Sequence, residues 1–181
     1  MSHVHLVDRE SATGTVKDQL DQIHATFGTV PAMFRAVANS PAALTSMWTS
    51  FGAFGGGTLG AALGEQIAVA VADRNSCEYC LAAHTALGRK AGASVEEMAS
   101  AQIGTSSDPR TQAALTFSLK LVRERAAVSE SDVAALKAAG FDDEGIVEIV
   151  AHIALNLFTN YVNVALNVPI DFPGVKLRPA P

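Results

Sequence analysis

Apolar residues return at helical spacing along nearly the whole chain, and no run alternates in the two-residue rhythm of a strand. Punctuation residues divide this pattern into successive helices. Thr13 predicts the cap of a helix over about residues 15–27, ended by Gly28. Pro31 and Pro41 each stand where a further helix would start, since proline's missing N–H costs nothing in a first turn. The Gly55-Gly56-Gly57 run closes the second of these. From Leu59 to Asp73 the pattern is again helical, with Ile67, Val69, Ala70 and Val71 as its apolar body. Arg74-Asn75-Ser76 interrupts it, and the next helix runs from Cys77 to Lys90, stopped by Gly92. Ser94-Val95-Glu96-Glu97 is a capping box opening a short helix. Asp108-Pro109 opens another that reaches about Ala126, Ser129 caps one that stops at Gly140, and Asp142 or Asp143 caps the last. That last helix carries Ile146 to Val168 before Pro169 ends it, and the tail from Asp171 to Pro181 is expected to be extended. With no interdomain linker in view, residues 1–181 read as a single all-α domain.

Composition supports close-packed helices: 49% of the 181 residues are hydrophobic, 32 are alanine, and only 6% are aromatic. That apolar content excludes a disordered chain. A charged fraction of 17% lies below the usual quarter for soluble domains, so a homo-oligomer with surface buried between subunits is expected. The net charge is −5 and no basic run occurs, which argues against nucleic acid as a partner. Residues 1–11 mix His3, His5, Asp8, Arg9 and Glu10 and offer no apolar signal core. Two long uncharged stretches invite a membrane reading. Ala36–Gly64 contains Asn39-Ser40-Pro41 and the glycine run, and Ile149–Ile170 contains His152 and four Asn, so both read as buried helices instead. The expectation is a soluble, cytoplasmic protein.

The chemistry concentrates in one segment, from Glu65 through Cys77-Glu78-Tyr79-Cys80 to His84. Both cysteines of the chain lie here. Cα atoms at i and i+3 of a helix are roughly 5 Å apart, inside the range a disulfide accepts, so the pair can close and open with little backbone movement. A helix start lowers a thiol pKa through its free N–H groups and dipole. His84 lies one turn beyond Cys80 and can take its proton or steady its thiolate. Glu65 is the nearest acidic residue able to orient that histidine, and Tyr79 offers a hydroxyl. The dipole favours Cys77 as the attacking thiol and the histidine favours Cys80. A specific partner one turn away outweighs a screened dipole of roughly 0.3–1 kcal/mol, which selects Cys80. A closed zinc site needs four ligands, and Cys77, Cys80 and His84 supply three. Haem attachment needs His directly after the second Cys, where Leu81 stands, and a thioredoxin-like fold needs strands the chain lacks. Buried thiols as small hydrophobes, a solvated Glu65 and a packing Tyr79 are the purely structural alternatives.

Glu65, eleven residues, Cys77-Glu78-Tyr79-Cys80, three residues and His84 resemble the signature of the alkylhydroperoxidase AhpD-like group of the carboxymuconolactone decarboxylase superfamily. The resemblance is strongest over residues 59–92. The ending Ile153-Ala154-Leu155-Asn156 through Pro169-Ile170-Asp171-Phe172-Pro173 is similar to the close of its peroxidase-related branch. It implies a multihelical bundle that assembles into oligomers, with Cys-x-x-Cys at the N-terminus of a helix. It also implies a dithiol that reduces hydroperoxides without metal or organic cofactor and is renewed by an external dithiol or thiol. Cys80 would then attack peroxide, Cys77 resolve, His84 deprotonate Cys80, and Glu65 complete the relay. The best-known pattern has His where Tyr79 stands, and a tyrosine with an ordinary pKa near 10 is a poor base at neutral pH. Decarboxylases of the superfamily lack the cysteine pair. A lyase of that kind, or a non-catalytic redox sensor, are the alternative functions.

Glu148, Asn160, Asn163 and Asn167 repeat the spacing of Glu65, Cys77, Cys80 and His84. Residues 144–168 could thus be a decayed copy of the same helical unit, or simply a buried helix with one polar stripe, which His152 and Asn156 share.

Overall fold

Side-chain caps set most of the helix starts. Ser40, Asp108 and Asp142 accept from backbone N–H groups three residues on, and Ser94 and Ser129 form full capping boxes with Glu97 and Asp132. The computed structural model describes residues 1–178. Among them the helices are α1 (Gly14–Phe27), α2 (Ala32–Val37), α3 (Pro41–Gly55), α4 (Ala61–Arg74), α5 (Glu78–Lys90), α6 (Val95–Gln102), α7 (Pro109–Arg123), α8 (Glu130–Ala138) and α9 (Asp143–Ala165). No strand occurs among the described residues.

Several boundaries differ from the sequence pattern, each for a local reason. Thr13 occupies the first N-cap without a side-chain bond. Pro31 is the N-cap of the six-residue α2 rather than part of its first turn. Cys77 likewise caps α5 instead of lying inside it. Helix α7 stops at Arg123, because Arg125 and Ala126 turn into the left-handed region at φ 51° and 67°. Helix α9 begins at Asp143 and ends at Ala165, with Asn167 at φ 49° closing it.

Helix α4 is the axis of the molecule. Its residues from Gln66 to Ala72 are all buried, and α5, α6, α7 and α9 pack around it. Gly88 lets α5 lie close, since a Cβ there would fall 3.2 Å from Glu65 Cβ and 2.5 Å from Met98 Sδ. Helix α3 departs from the expected buried helix: only Leu44 and Met47 are buried, while Trp48, Phe51 and Phe54 are partly exposed. Helix α9 is long and apolar enough to cross a membrane by length and composition alone. Its inner face, including Ile149, Ile153, Asn156, Thr159, Asn160 and Asn163, packs into the core, while Val147, Val150, Tyr161 and Val164 are exposed.

The described part of the tail, to Arg178, runs as an irregular strap over the helices. Asp171 Oδ2 accepts from Ala32 N (2.5 Å) at the start of α2. Lys176 O accepts from Gln102 Nε2 (2.9 Å), and Arg178 N donates to Asp73 Oδ1 (3.0 Å). The end of the expected extended tail, residues 179–181, lies outside the described residues.

Candidate active site

The turn from α4 into α5 places the two thiols. Ser76 takes φ 55°, and Cys77 N then donates to Ala72 O (2.9 Å), which aims Cys77 Sγ at the open N–H groups of α5. The sulfur accepts from Cys80 N at 3.3 Å, so Cys77 serves as the helix cap in the way a serine would. Cys80 sits one turn inside α5, and both residues are buried with their sulfurs free.

The surroundings of Cys80 come mostly from α9. Asn163 Nδ2 donates to Cys80 Sγ at 3.2 Å, and Thr159 Oγ1 lies 3.9 Å away. Asn160 also stands beside this sulfur, with its Oδ1 held by Asn75 Nδ2 (2.8 Å). The Cys80 thiol is pulled down to about 6 from its ordinary value of 9.0. The Cys77 hydrogen bond contributes most, then burial opposes it, and the nearby His84 charge and the two asparagines add to the lowering. Cys77 moves the other way. Its hydrogen bond to Cys80, its burial and the charge on Cys80 all hold its proton. The pair is therefore polarised into one thiolate and one thiol.

Glu65 on α4 and His84 on α5 form a partly buried pair, with His84 Nδ1 2.7 Å from Glu65 Oε2. Burial pulls the imidazole pKa down, but the charge and hydrogen bond of Glu65 outweigh it and the net shift is upward. No hydrogen bond joins His84 to either sulfur among the described residues, so its influence on Cys80 is that of a nearby charge. Tyr79, read as a possible relay member, turns elsewhere. Its hydroxyl donates to Asp171 Oδ2 (2.9 Å) and accepts from Met33 N (3.4 Å), and burial followed by the Asp171 charge pushes its pKa up. Its ring packs edge-on against Phe172.

A cavity of about 460 Å³ opens onto Cys80, His84 and Glu65, walled by Phe27, Phe34, Trp48, Phe51 and Phe172. A smaller one of about 170 Å³ lies across the Glu65–His84 pair and is bordered by Gly64, Glu148 and His152. Glu148 there accepts from Thr58 N (2.7 Å) and Leu59 N (3.1 Å), bracing the turn before α4. His152 Nε2 pairs with Gly64 O (3.0 Å), and burial lowers its pKa. Among the described residues no cluster of three or more His, Cys, Asp or Glu side chains is arranged to hold a metal.

The cysteines, His84 and Glu65 thus come together as their spacing suggested, while Tyr79 belongs to the strap. Sequence reasoning did not connect Asn160 and Asn163 with the sulfur, nor Asp171 with Tyr79. For the asparagines a signal existed: Asn156, Thr159, Asn160 and Asn163 make a polar stripe on an otherwise apolar helix. The aromatic wall of the cavity carried no periodic signal.

Residues 41–124 match the carboxymuconolactone decarboxylase family. Among solved structures, the chain resembles a peroxidase-related protein of Ralstonia eutropha JMP134 with an alkylhydroperoxidase AhpD core. The TM-score is 0.84 at 24% identity, over 94% of this chain and 92% of that one. A peroxidase-related protein of Silicibacter sp. TM1040 gives 0.82 at 24% identity, over 93% and 91%. The debrominase Bmp8 gives 0.79 at 19% identity over 93% and 91%, and a cysteine-to-alanine variant of it has been solved with 2,3,4-tribromopyrrole. At these identities the likeness establishes a shared fold. No curated protein matches the chain in sequence.

Proposed function

From the match of residues 41–124 to the carboxymuconolactone decarboxylase family, the shared AhpD-like fold and the Cys80 site, we propose that the chain is an AhpD-like member of that superfamily and a thiol-dependent hydroperoxide reductase. The observation that carries the reading is the polarised pair: a Cys80 thiol lowered to about 6, bordering an apolar cavity, beside a Cys77 that keeps its proton. The thiolate is the nucleophilic form of cysteine. Cys80 attacks the terminal peroxide oxygen, the O–O bond breaks, and the departing alkoxide takes a proton from the His84 imidazolium that Glu65 maintains. Alcohol leaves and Cys80 remains as sulfenic acid. Cys77 then attacks the sulfenic sulfur, water departs, and the Cys77–Cys80 disulfide forms. An external dithiol restores both sulfurs. The cycle needs a compartment that keeps thiols reduced, and we place the protein in the cytoplasm.

A second reading shares this redox step. Flat aromatic walls on the cavity (Phe27, Phe34, Trp48 and Phe51) favour a ring-shaped substrate. With a bromoaromatic, the thiolate would take bromine as the C–Br bond breaks and the ring gains a proton. Cys77 would then displace bromide to give the same disulfide.

Turnover with dithiothreitol tests both, read as loss of cumene hydroperoxide and as bromide release from 2,3,4-tribromopyrrole. The peroxidase reading expects the first signal to dominate and Cys80→Ser to lose it by about a thousandfold or more. Cys77→Ser should give one oxidation without turnover, and His84→Ala a slower rate. A fully active Cys80→Ser variant removes the redox mechanism, and lactone decarboxylation that survives loss of both cysteines would assign the lyase chemistry instead. Slow peroxide loss together with an oxidation-dependent change of assembly would make the protein a sensor.

A further inference from the structure

The two sulfurs border different openings. Cys80 lines the aromatic cavity and Cys77 does not. Cys77 instead forms part of a separate groove of about 400 Å³, between the start of α5, the end of α9 and the strap. Its lining mixes apolar side chains (Val164, Val168, Pro169, Ile170 and Leu177) with polar ones (Ser76, Glu78, Asn163 and Asn167). The partition between groove and cavity is Tyr79, which lines both and is pinned by Asp171 and Phe172. Ser76 and Asn167, two of the four non-glycine residues with positive φ among the described residues, flank this groove and shape its mouth.

We propose that this groove is the entry site for the reductant: a small aliphatic dithiol that attacks Cys77 Sγ of the disulfide through an opening separate from the peroxide cavity. The proposal rests on the dithiol cycle above and adds where its second substrate binds. A reductant thiolate forms a bond to Cys77 Sγ, the Cys77–Cys80 bond breaks, and Cys80 leaves as thiolate. The reductant's second thiol, losing its proton to solvent, then attacks its own sulfur in the mixed disulfide. It departs as a cyclic disulfide, and Cys77 takes up a proton. One dithiol is oxidised by two electrons and one enzyme disulfide is reduced by two. The direction follows from leaving-group chemistry, since the thiol of lower pKa is expelled faster in disulfide exchange. Cys80, stabilised by Asn163, is that thiol, and attack on Cys80 would have to expel the proton-holding Cys77. Oxidant and reductant therefore reach different sulfurs through different openings, and neither blocks the other.

The test separates the half-reactions in the full-length protein. The chain is oxidised beforehand with diamide, so reduction is followed whether or not peroxide is a substrate. Val164→Phe and Ile170→Phe fill the groove at exposed positions that do not touch the Cys80 cavity. Each should slow reduction of the disulfide by dithiothreitol by about tenfold. Single-turnover oxidation of the reduced protein by cumene hydroperoxide should stay within about twofold of wild type. In the unsubstituted protein, a monothiol such as 2-mercaptoethanol, quenched with acid, should be found by peptide mass mapping on Cys77. A mixed disulfide on Cys80, or reduction unaffected by both substitutions, overturns the proposal. Absence of any oxidation by peroxide, with diamide-driven reduction still groove-dependent, would instead remove the peroxidase reading and leave the reductant site standing.

Discussion

At the residue scale, the state of Cys80 is decided first by its hydrogen bond with Cys77, with the His84 charge next among the lowering influences and the Asn163 and Asn160 hydrogen bonds after it. Asn163 donates an amide N–H to the sulfur from inside the core. A hydrogen bond to a charged group is worth about 1.5–3 kcal/mol, and one pKa unit corresponds to about 1.4 kcal/mol. Asn163→Leu is therefore expected to raise the Cys80 thiol from about 6 by roughly one to two units, read as ultraviolet thiolate absorbance against pH. An unchanged midpoint would take Asn163 out of the site's electrostatics. His84 sets the other limb. Peroxide attack should rise with pH through about 6 as Cys80 ionises, then fall above the ordinary histidine range as His84, shifted upward, loses the proton it gives the alkoxide. In Glu65→Gln, burial of the imidazole is opposed only by the smaller influence of the Cys80 charge, so the descending limb moves to lower pH and the neutral-pH rate drops by about ten- to a hundredfold. A pH–rate profile with that limb in its original place would show that Glu65 does not govern His84.

At the scale of elements, α4 and α5 supply the reacting groups while α9 and the strap hold them in place. Tyr79 shows the difference. It sits between the cysteines in sequence, yet its hydroxyl ties α5 to Asp171 of the strap and to the backbone at the start of α2. Tyr79→Phe removes a buried hydrogen bond to a carboxylate and should cost about 1.5 kcal/mol, a fall in melting temperature of roughly 3–6 °C. The shape of the pH–rate profile should stay as in wild type, because the hydroxyl carries no proton in the cycle. A lost or displaced limb in that variant would restore Tyr79 to the relay. The helix pattern itself was legible wherever a cap or a glycine marked it, as at Ser94, Ser129 and Gly28. It failed by a few residues where left-handed backbone ended a helix without a glycine: at Ala126, a residue type that does not announce that conformation, and at Asn167, one that favours it but follows Asn156, Asn160 and Asn163, which stay helical.

For the whole molecule, local spacing revealed the Cys77–Cys80–His84 turn because those contacts lie within one helix. The Asn163–Cys80 contact spans 83 positions and depends on how α9 lies against α5, which no spacing along the chain reports. That long-range contact also ties the redox state to the stability of the fold. Closing a disulfide between Cys77 and Cys80 constrains a short loop and contributes about 2 kcal/mol in the chain-entropy account, or roughly 4–8 °C for a domain of this size. The reduced form has an opposing contribution, because folding holds Cys80 as a thiolate. Its folded pKa lies near 6, below the ordinary 9.0, so this stabilisation is complete above the unfolded value and disappears as pH falls through about 6. The disulfide form has no such titration. The melting temperature of the oxidised form should therefore rise steadily relative to that of the reduced form as pH is lowered from about 9 to about 6. Calorimetry of both forms across that range reads the linkage directly. A gap independent of pH would mean that the fold does not stabilise the Cys80 thiolate, and with it would fall the polarisation on which peroxide attack depends.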